Sequence, residues 1–121
     1  MNVFDSSALL VFVYDEPGAD IVQHQLEVGG LVGAANWSEV AQKLRSSGDD
    51  WNVNRGMLLS FSLSVESVSE RDAETAAQLW KRGSGLSLAD RLCLALAERY
   101  EATVWTADSE WRGHARAQLI R

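Results

Sequence analysis

The stretch from Leu86 to Ala97, Leu-Ser-Leu-Ala-Asp-Arg-Leu-Cys-Leu-Ala-Leu-Ala, constrains this chain more than any other. Beyond the Asp90-Arg91 pair it is apolar on nearly every face, which suits a helix enclosed by protein on all sides. The remaining segments must then supply the layers that bury it. Ser87, three residues before Asp90, gives the spacing of a capping box. Its hydroxyl can accept from a first-turn N–H while the carboxylate faces the positive end of the helix. An acid therefore stands at the mouth of the core helix. Capping alone accounts for it unless other carboxylates meet it there.

Read in order, Asn2-Val3-Phe4 predicts a strand, and Asp5-Ser6-Ser7 starts a helix that carries Ala8 to Tyr14 and stops at Pro17-Gly18. A second helix runs from Asp20 to about Glu27, with His24 on its outer side. Gly29-Gly30 breaks the chain, and Leu31 to Ala35 reads as a small-residue strand of a parallel sheet. Asn36 and Glu39 have capping-box spacing before a helix that ends near Ser46-Ser47-Gly48. A further helix from Trp51 to about Ser62 puts Trp51, Val53, Met57, Leu58 and Phe61 on one face. Ser64 to Val68 then alternates as a strand. Ser69-Glu70-Arg71-Asp72 starts another helix, which Gly83-Ser84-Gly85 ends. Thr103 to Thr106 is a strand leading to Ala107-Asp108. Ser109 to Arg112 makes a turn, and Gln118-Leu119-Ile120 is a last strand.

Strands alternating with helices over short connections predict an α/β fold with helices on both faces of a parallel sheet. At 121 residues, with 46% hydrophobic residues and one proline, the chain reads as one domain spanning 1–121 that needs no disulfide or structural metal. Cys93, the lone cysteine, falls inside the apolar helix and reads as a core residue. With no basic leader and no apolar run near the ~20 residues that cross a bilayer, the expectation is a soluble, cytoplasmic protein with no membrane partner. A net charge of −6 argues against nucleic-acid binding by bulk electrostatics, so any such partner needs a local basic patch. Lys81-Arg82, Arg91 and the Arg112 to Arg116 segment are the candidates.

Open parallel sheets bind ligands beyond the carboxyl ends of their strands. Four acids fall near that edge: Asp5 after the first strand, Glu39 in the helix after the second, Asp90 at the core helix and Asp108 after the fourth strand. Each also stands near a helix start, where about 0.3–1 kcal/mol from the helix dipole is reason enough for an acid. Asp72 repeats the Ser-x-x-Asp spacing but is expected among surface charges, away from any site. Gathered carboxylates repel unless a cation offsets them. Oxygen ligands without a Cys or His cluster favour Mg²⁺, or Mn²⁺, over zinc. Such a site suits phosphodiester hydrolysis.

Val3-Phe4-Asp5-Ser6-Ser7-Ala8-Leu9-Leu10, Glu16-Pro17-Gly18, Asn36-Trp37-Ser38-Glu39-Val40, Leu86 to Leu92 and Val104-Trp105-Thr106-Ala107-Asp108 resemble, in order and over essentially the whole chain, the motifs of PIN-domain ribonucleases, above all the VapC toxins of toxin–antitoxin pairs. The resemblance implies a three-layer α/β/α sandwich around a five-stranded parallel sheet, and a Mg²⁺-dependent endoribonuclease that acts on RNA and is held by a cognate antitoxin. It matches Asp5, Glu39, Asp90 and Asp108 to the family's acidic quartet, with the aspartates holding metal and the glutamate acting directly or through water. Thr106 would support the last acid, and Ser6 or Asn36 would steady the first and second. Glu110 stands where some relatives place a further ligand, and Trp37 is bulkier than the usual residue beside the glutamate.

Competing folds fail at named positions. A phospho-acceptor receiver needs paired acids after its first strand and a late lysine, yet Asp5 stands alone and the lysines are Lys43 and Lys81. A haloacid-dehalogenase-like phosphatase needs Asp-x-Asp, and Ser7 occupies the second place. A metal-free module that only engages a protein partner keeps the fold and drops the chemistry. Five tryptophans and the apolar face from Trp51 to Phe61 also predict a homodimer.

Overall fold

A computed structural model describes residues 1–121. Strands β1 (Asn2–Phe4), β2 (Gly30–Gly33), β3 (Leu63–Glu66), β4 (Thr103–Thr106) and β5 (Ala117–Leu119) form one sheet in the order β3-β2-β1-β4-β5. Every pairing is parallel. Helices α1 (Ser6–Val13), α2 (Ala19–Val28), α3 (Ala34–Ser46), α4 (Trp51–Leu59), α5 (Glu70–Gln78) and α6 (Leu88–Tyr100) make the crossovers. The predicted sandwich follows from the period-two alternation of the strands. Phe4 and Val32 face a core with Leu9, Val22, Leu26, Val40, Leu44 and Leu58 of α1 to α4. Their neighbours Val3 and Val104 face a second core with Cys93, Leu94, Leu96 and Ala97 of α6. Gly30 lets β2 close on β1, since a Cβ there would lie 2.5 Å from the carbonyl oxygen of Asn2.

The core helix is as the sequence requires, with Cys93 to Ala97 buried consecutively, although Leu88 in its first turn is exposed. Both halves of the Ser87–Asp90 capping box form. His24 is exposed, as expected.

Three local expectations need correction. Helix α3 starts at Ala34, directly after Gly33 leaves the sheet, so Asn36 and Glu39 are not a capping box. They sit one turn apart inside the helix. The alanines, good helix formers, let the helix begin three residues earlier than a cap at Asn36 would. Helix α4 ends at Leu59, and the aromatics of this segment pack within the chain: Trp51 of α4 edge-on against Trp37 at 5.0 Å, and Phe61, beyond the helix, against Phe12 at 5.6 Å. Val53 is the large residue of the predicted face that stays exposed.

Asp72 is the third. It is buried, and its carboxylate takes a two-pronged contact from the Arg99 guanidinium, Nε to Oδ1 at 3.0 Å and Nη2 to Oδ2 at 3.1 Å. Arg99 also stacks over the Tyr100 ring, whose hydroxyl donates to Glu66 at 3.1 Å, so the pair fastens α5 to α6 and to β3. Burial opposes the charge, but the Ser69 amide and Arg99 outweigh it and hold the Asp72 carboxyl below its ordinary value. An acid whose pKa is depressed by folding stabilises the protein above its unfolded pKa and loses that contribution as pH falls through the folded one. Asp72→Ala is therefore expected to lower stability by about 2–4 kcal/mol at neutral pH, less in strong acid, read by urea unfolding at several pH values.

Candidate active site

The strand order reverses between β1 and β4, and at such a switch point the carboxyl ends of the two strands leave a crevice. Asp5 follows β1 directly and Asp108 follows β4 by two residues. Asp5 caps α1: its Oδ1 accepts from the Ala8 amide at 3.0 Å and from the Ser7 hydroxyl at 2.6 Å, and its Oδ2 from the Thr106 hydroxyl at 2.8 Å. The same Thr106 oxygen accepts from the Asp108 amide at 3.0 Å, so one hydroxyl ties the two acids together. Burial, with a smaller push from the charge of Asp90, raises the Asp5 pKa from 3.8 to about 6 in spite of those three donors. At neutral pH the site therefore holds an ionised carboxylate that the chain itself does not neutralise.

The other acids stand in α3, at the start of α6 and after β4. Glu39 reaches back from α3, where its Oε1 accepts from the Ser6 hydroxyl at 2.9 Å and from Asn36 Nδ2 at 3.2 Å, leaving Oε2 without a partner. Asn36 is buried, and its Oδ1 is unpaired. Asp90 Oδ2 accepts from the Ser87 amide at 2.9 Å, and Asp108 Oδ1 accepts from the Glu110 amide at 2.9 Å. Each thus keeps one oxygen uncommitted. Burial, together with the charges of Asp5, Asp90 and Glu39, pushes the buried Cys93 thiol well up. Cys93 is inert core, as its place in the apolar run implies.

All-oxygen donors around an unneutralised carboxylate suit a hard divalent cation such as Mg²⁺ or Mn²⁺. No three acid, His or Cys side chains stand close enough to form a ready cage. Mg²⁺ commonly takes one or two protein carboxylates and keeps several waters, so the donor chemistry fits without such a cage. Two open cavities of about 310 Å³ and 300 Å³ flank the acids. One reaches Asp108 and the other Glu39, and both are bounded by Leu10 and Lys43.

Ser7 was not legible as a site residue. It, and not Ser6, holds Asp5, while Thr106 serves the first acid as well as the last. The available signal was the Asp-x-Ser spacing at a helix start, where a hydroxyl two residues on can turn back to the cap. Ser7 Oγ also accepts from the Ala107 amide at 2.9 Å, so it pins β4 to α1. Ser7→Ala is expected to cost about 1–3 kcal/mol in urea unfolding, because that amide is left unsatisfied.

An open parallel sheet with acids gathered at its switch point defines a doubly wound α/β protein with an acidic site at the strand ends. The PIN domain family profile matches residues 3–117, and the chain belongs to this family. No curated protein matches the sequence. Solved structures with a similar fold include a toxin–antitoxin complex from Klebsiella pneumoniae (18% identity, 100% of this chain and 98% of that one, TM-score 0.79). Another is VapC20 from Mycobacterium tuberculosis, described as a sarcin-ricin loop cleaving toxin (13%, 96% of each chain, TM-score 0.76). A third is VapBC2 from Rickettsia felis bound to a promoter DNA fragment (16%, 98% and 96%, TM-score 0.71).

Proposed function

We propose that this chain is a divalent-metal-dependent endoribonuclease, the toxin of a type II toxin–antitoxin pair. The observation that carries the reading is Asp5, a buried, unneutralised carboxylate at the switch point, tied through Thr106 to Asp108 and under the charge of Asp90. Two of the similar structures, described as a toxin–antitoxin complex and as a cleaving toxin, support the biological role by analogy of fold. In this reading Asp5, Asp90 and Asp108 hold Mg²⁺ or Mn²⁺. The bound cation would offset the repulsion among the carboxylates and draw charge from a phosphodiester.

The chain's own residues supply the rest. Ser6 and Asn36 fix one oxygen of Glu39, so that Oε2 is aimed as the acceptor for a proton from the attacking water. Thr106 and Ser7 keep Asp5 ionised and in one rotamer, because each donates to the charged form. Purified protein should cleave RNA in Mg²⁺ and lose that activity in EDTA, with recovery on adding Mg²⁺ or Mn²⁺. Cleavage that survives EDTA overturns the reading.

The lack of a ready three-acid cage favours one rival, a non-catalytic PIN module that engages only a protein partner. Metal-dependent cleavage by the purified chain separates the two. An antitoxin would suit the acids best through an arginine, which can meet a carboxylate with two parallel bonds. Co-purification with its antitoxin should therefore suppress cleavage, and undiminished cleavage in the complex removes the inhibitory partner. The homodimer stays in the proposal as a property to be measured, and a monomer by light scattering at micromolar concentration removes it.

A further inference from the structure

The segment between α5 and α6, Leu79 to Ser87, carries features that neither the cores nor the acids use. Trp80 is 55% exposed, the most exposed of the large aromatics, and it is followed by Lys81 and Arg82, both exposed. This is the one place where two cations are adjacent in a chain of net charge −6. Neither is within ion-pair distance of a carboxylate, whereas Arg99 and Arg121 are paired. The Arg82 guanidinium lies 5.9 Å from the centroid of the Trp80 ring.

The stem of the segment is fixed while its tip is open. Leu79 and Leu86 pack on the α6 core, and Arg91, beside Asp90, donates to the carbonyl of Ala76 at 2.8 Å, so α6 grips the end of α5. Ser84 N donates to the Lys81 carbonyl at 3.2 Å and closes the turn. The segment runs along the acid site. Gly85 has φ +78°, and a Cβ there would lie 2.8 Å from the Glu110 carboxylate, in the turn that Asp108 caps. Two residues on, the segment becomes the cap of Asp90.

An exposed indole next to unpaired cations is the chemistry that binds single-stranded nucleic acid: a base stacks on the ring and phosphates meet the cations. We propose that Trp80, Lys81 and Arg82 form the docking platform for an unpaired stretch of RNA leading into the acid site. Trp80 stacks a base and the two cations hold neighbouring phosphates. The proposal rests on the nuclease reading. It answers the difficulty that an acidic protein meets with a polyanion, since the two adjacent cations stand on the segment that ends at the Asp90 cap.

The test is anisotropy of a short fluorescent oligouridylate on the chain of residues 1–121, in calcium and over a salt series, beside a cleavage assay in Mg²⁺. Trp80→Ala should weaken binding roughly 5- to 100-fold with little change in salt slope, and Trp80→Phe should recover most of the loss. The Lys81→Ala/Arg82→Ala double variant should lower the slope of log affinity against log salt by about 1.4, two phosphate contacts on a single strand. Melting points near that of the parent are expected, because the tip is outside both cores. If the parent cleaves RNA and all three variants bind and cleave like it, the platform is wrong and the nuclease reading stands. If the parent neither binds nor cleaves RNA, both fall. If Trp80→Ala keeps RNA affinity but loses a purified antitoxin, the tip is a protein interface and the proposal is overturned.

Discussion

Asp90→Asn is expected to slow RNA cleavage by orders of magnitude in saturating Mg²⁺, while Asp72→Asn, assayed where it is folded, cleaves at the parent rate. The two acids share one sequence signature and one local geometry, since each closes a capping box with a serine three residues earlier. Asparagine keeps an oxygen for the Ser87 amide, so loss of a pure cap at Asp90 should cost no more than about 1 kcal/mol and leave activity alone. What asparagine cannot keep is the negative charge that bears on Asp5. Asp72 differs in what lies beyond its cap: Arg99 takes its charge there, far along α6 from Asp90. Its asparagine variant should therefore melt earlier, by about 2–3 kcal/mol, with the rate of the folded protein unchanged. Asp90→Asn cleaving at the parent rate, or Asp72→Asn losing cleavage equally when folded, sinks the assignment of Asp90 to the site.

That contrast marks where the sequence stops being legible. Period-two strands, apolar helices and the order of the acids are local or nearly so, and the sheet, both helical layers and the helix caps at Asp5, Ser69 and Ser87 follow from them. Asp72 looked like a surface charge because its partner is 27 residues away on another helix, a separation that no spacing rule reaches. Asn36 and Glu39 had the right spacing for a cap and turned out to be one turn of helix. Their contact survives in another role, Asn36 donating to Glu39 within the site. Ser7 was hidden for a different reason. A serine after a capping aspartate is common in any helix start, and only the approach of β4 gives its hydroxyl the Ala107 amide to accept from. Trp51 and Phe61 mark another limit. Their spacing describes an apolar face, but a face does not say what covers it: Trp37 and Phe12 pack against these two rings, while Val53 of the same face stays exposed.

Asp5→Asn is expected to make the metal-free protein more stable at pH 7.5 and to do so less and less as pH falls. Folding raises the Asp5 pKa from 3.8 to about 6, so the native state binds this proton more tightly than the unfolded chain does. The stability tied to the proton is therefore complete below about pH 4, declines as pH rises through 6, and is gone above it. The span of about two pKa units corresponds to about 3 kcal/mol. Asparagine has no charge to desolvate and removes this term. It still accepts from the Ala8 amide and the Ser7 hydroxyl, but its Nδ2 faces the Thr106 hydroxyl as a donor, and realigning that hydrogen bond costs about 1 kcal/mol. A net gain of about 2 kcal/mol at pH 7.5 in EDTA should shrink to zero or reverse near pH 4. Comparing the two proteins cancels Asp72, whose depressed pKa makes both less stable in acid. Mg²⁺ should then work against the variant, because a ligand that binds the native state stabilises it more the tighter it binds, as the logarithm of its affinity, and the parent has the stronger site. Urea unfolding of both proteins, with EDTA and with Mg²⁺ at each pH, reads all of this. A stability gap that does not change with pH would mean that the Asp5 carboxylate is not the strained charge around which the site is built.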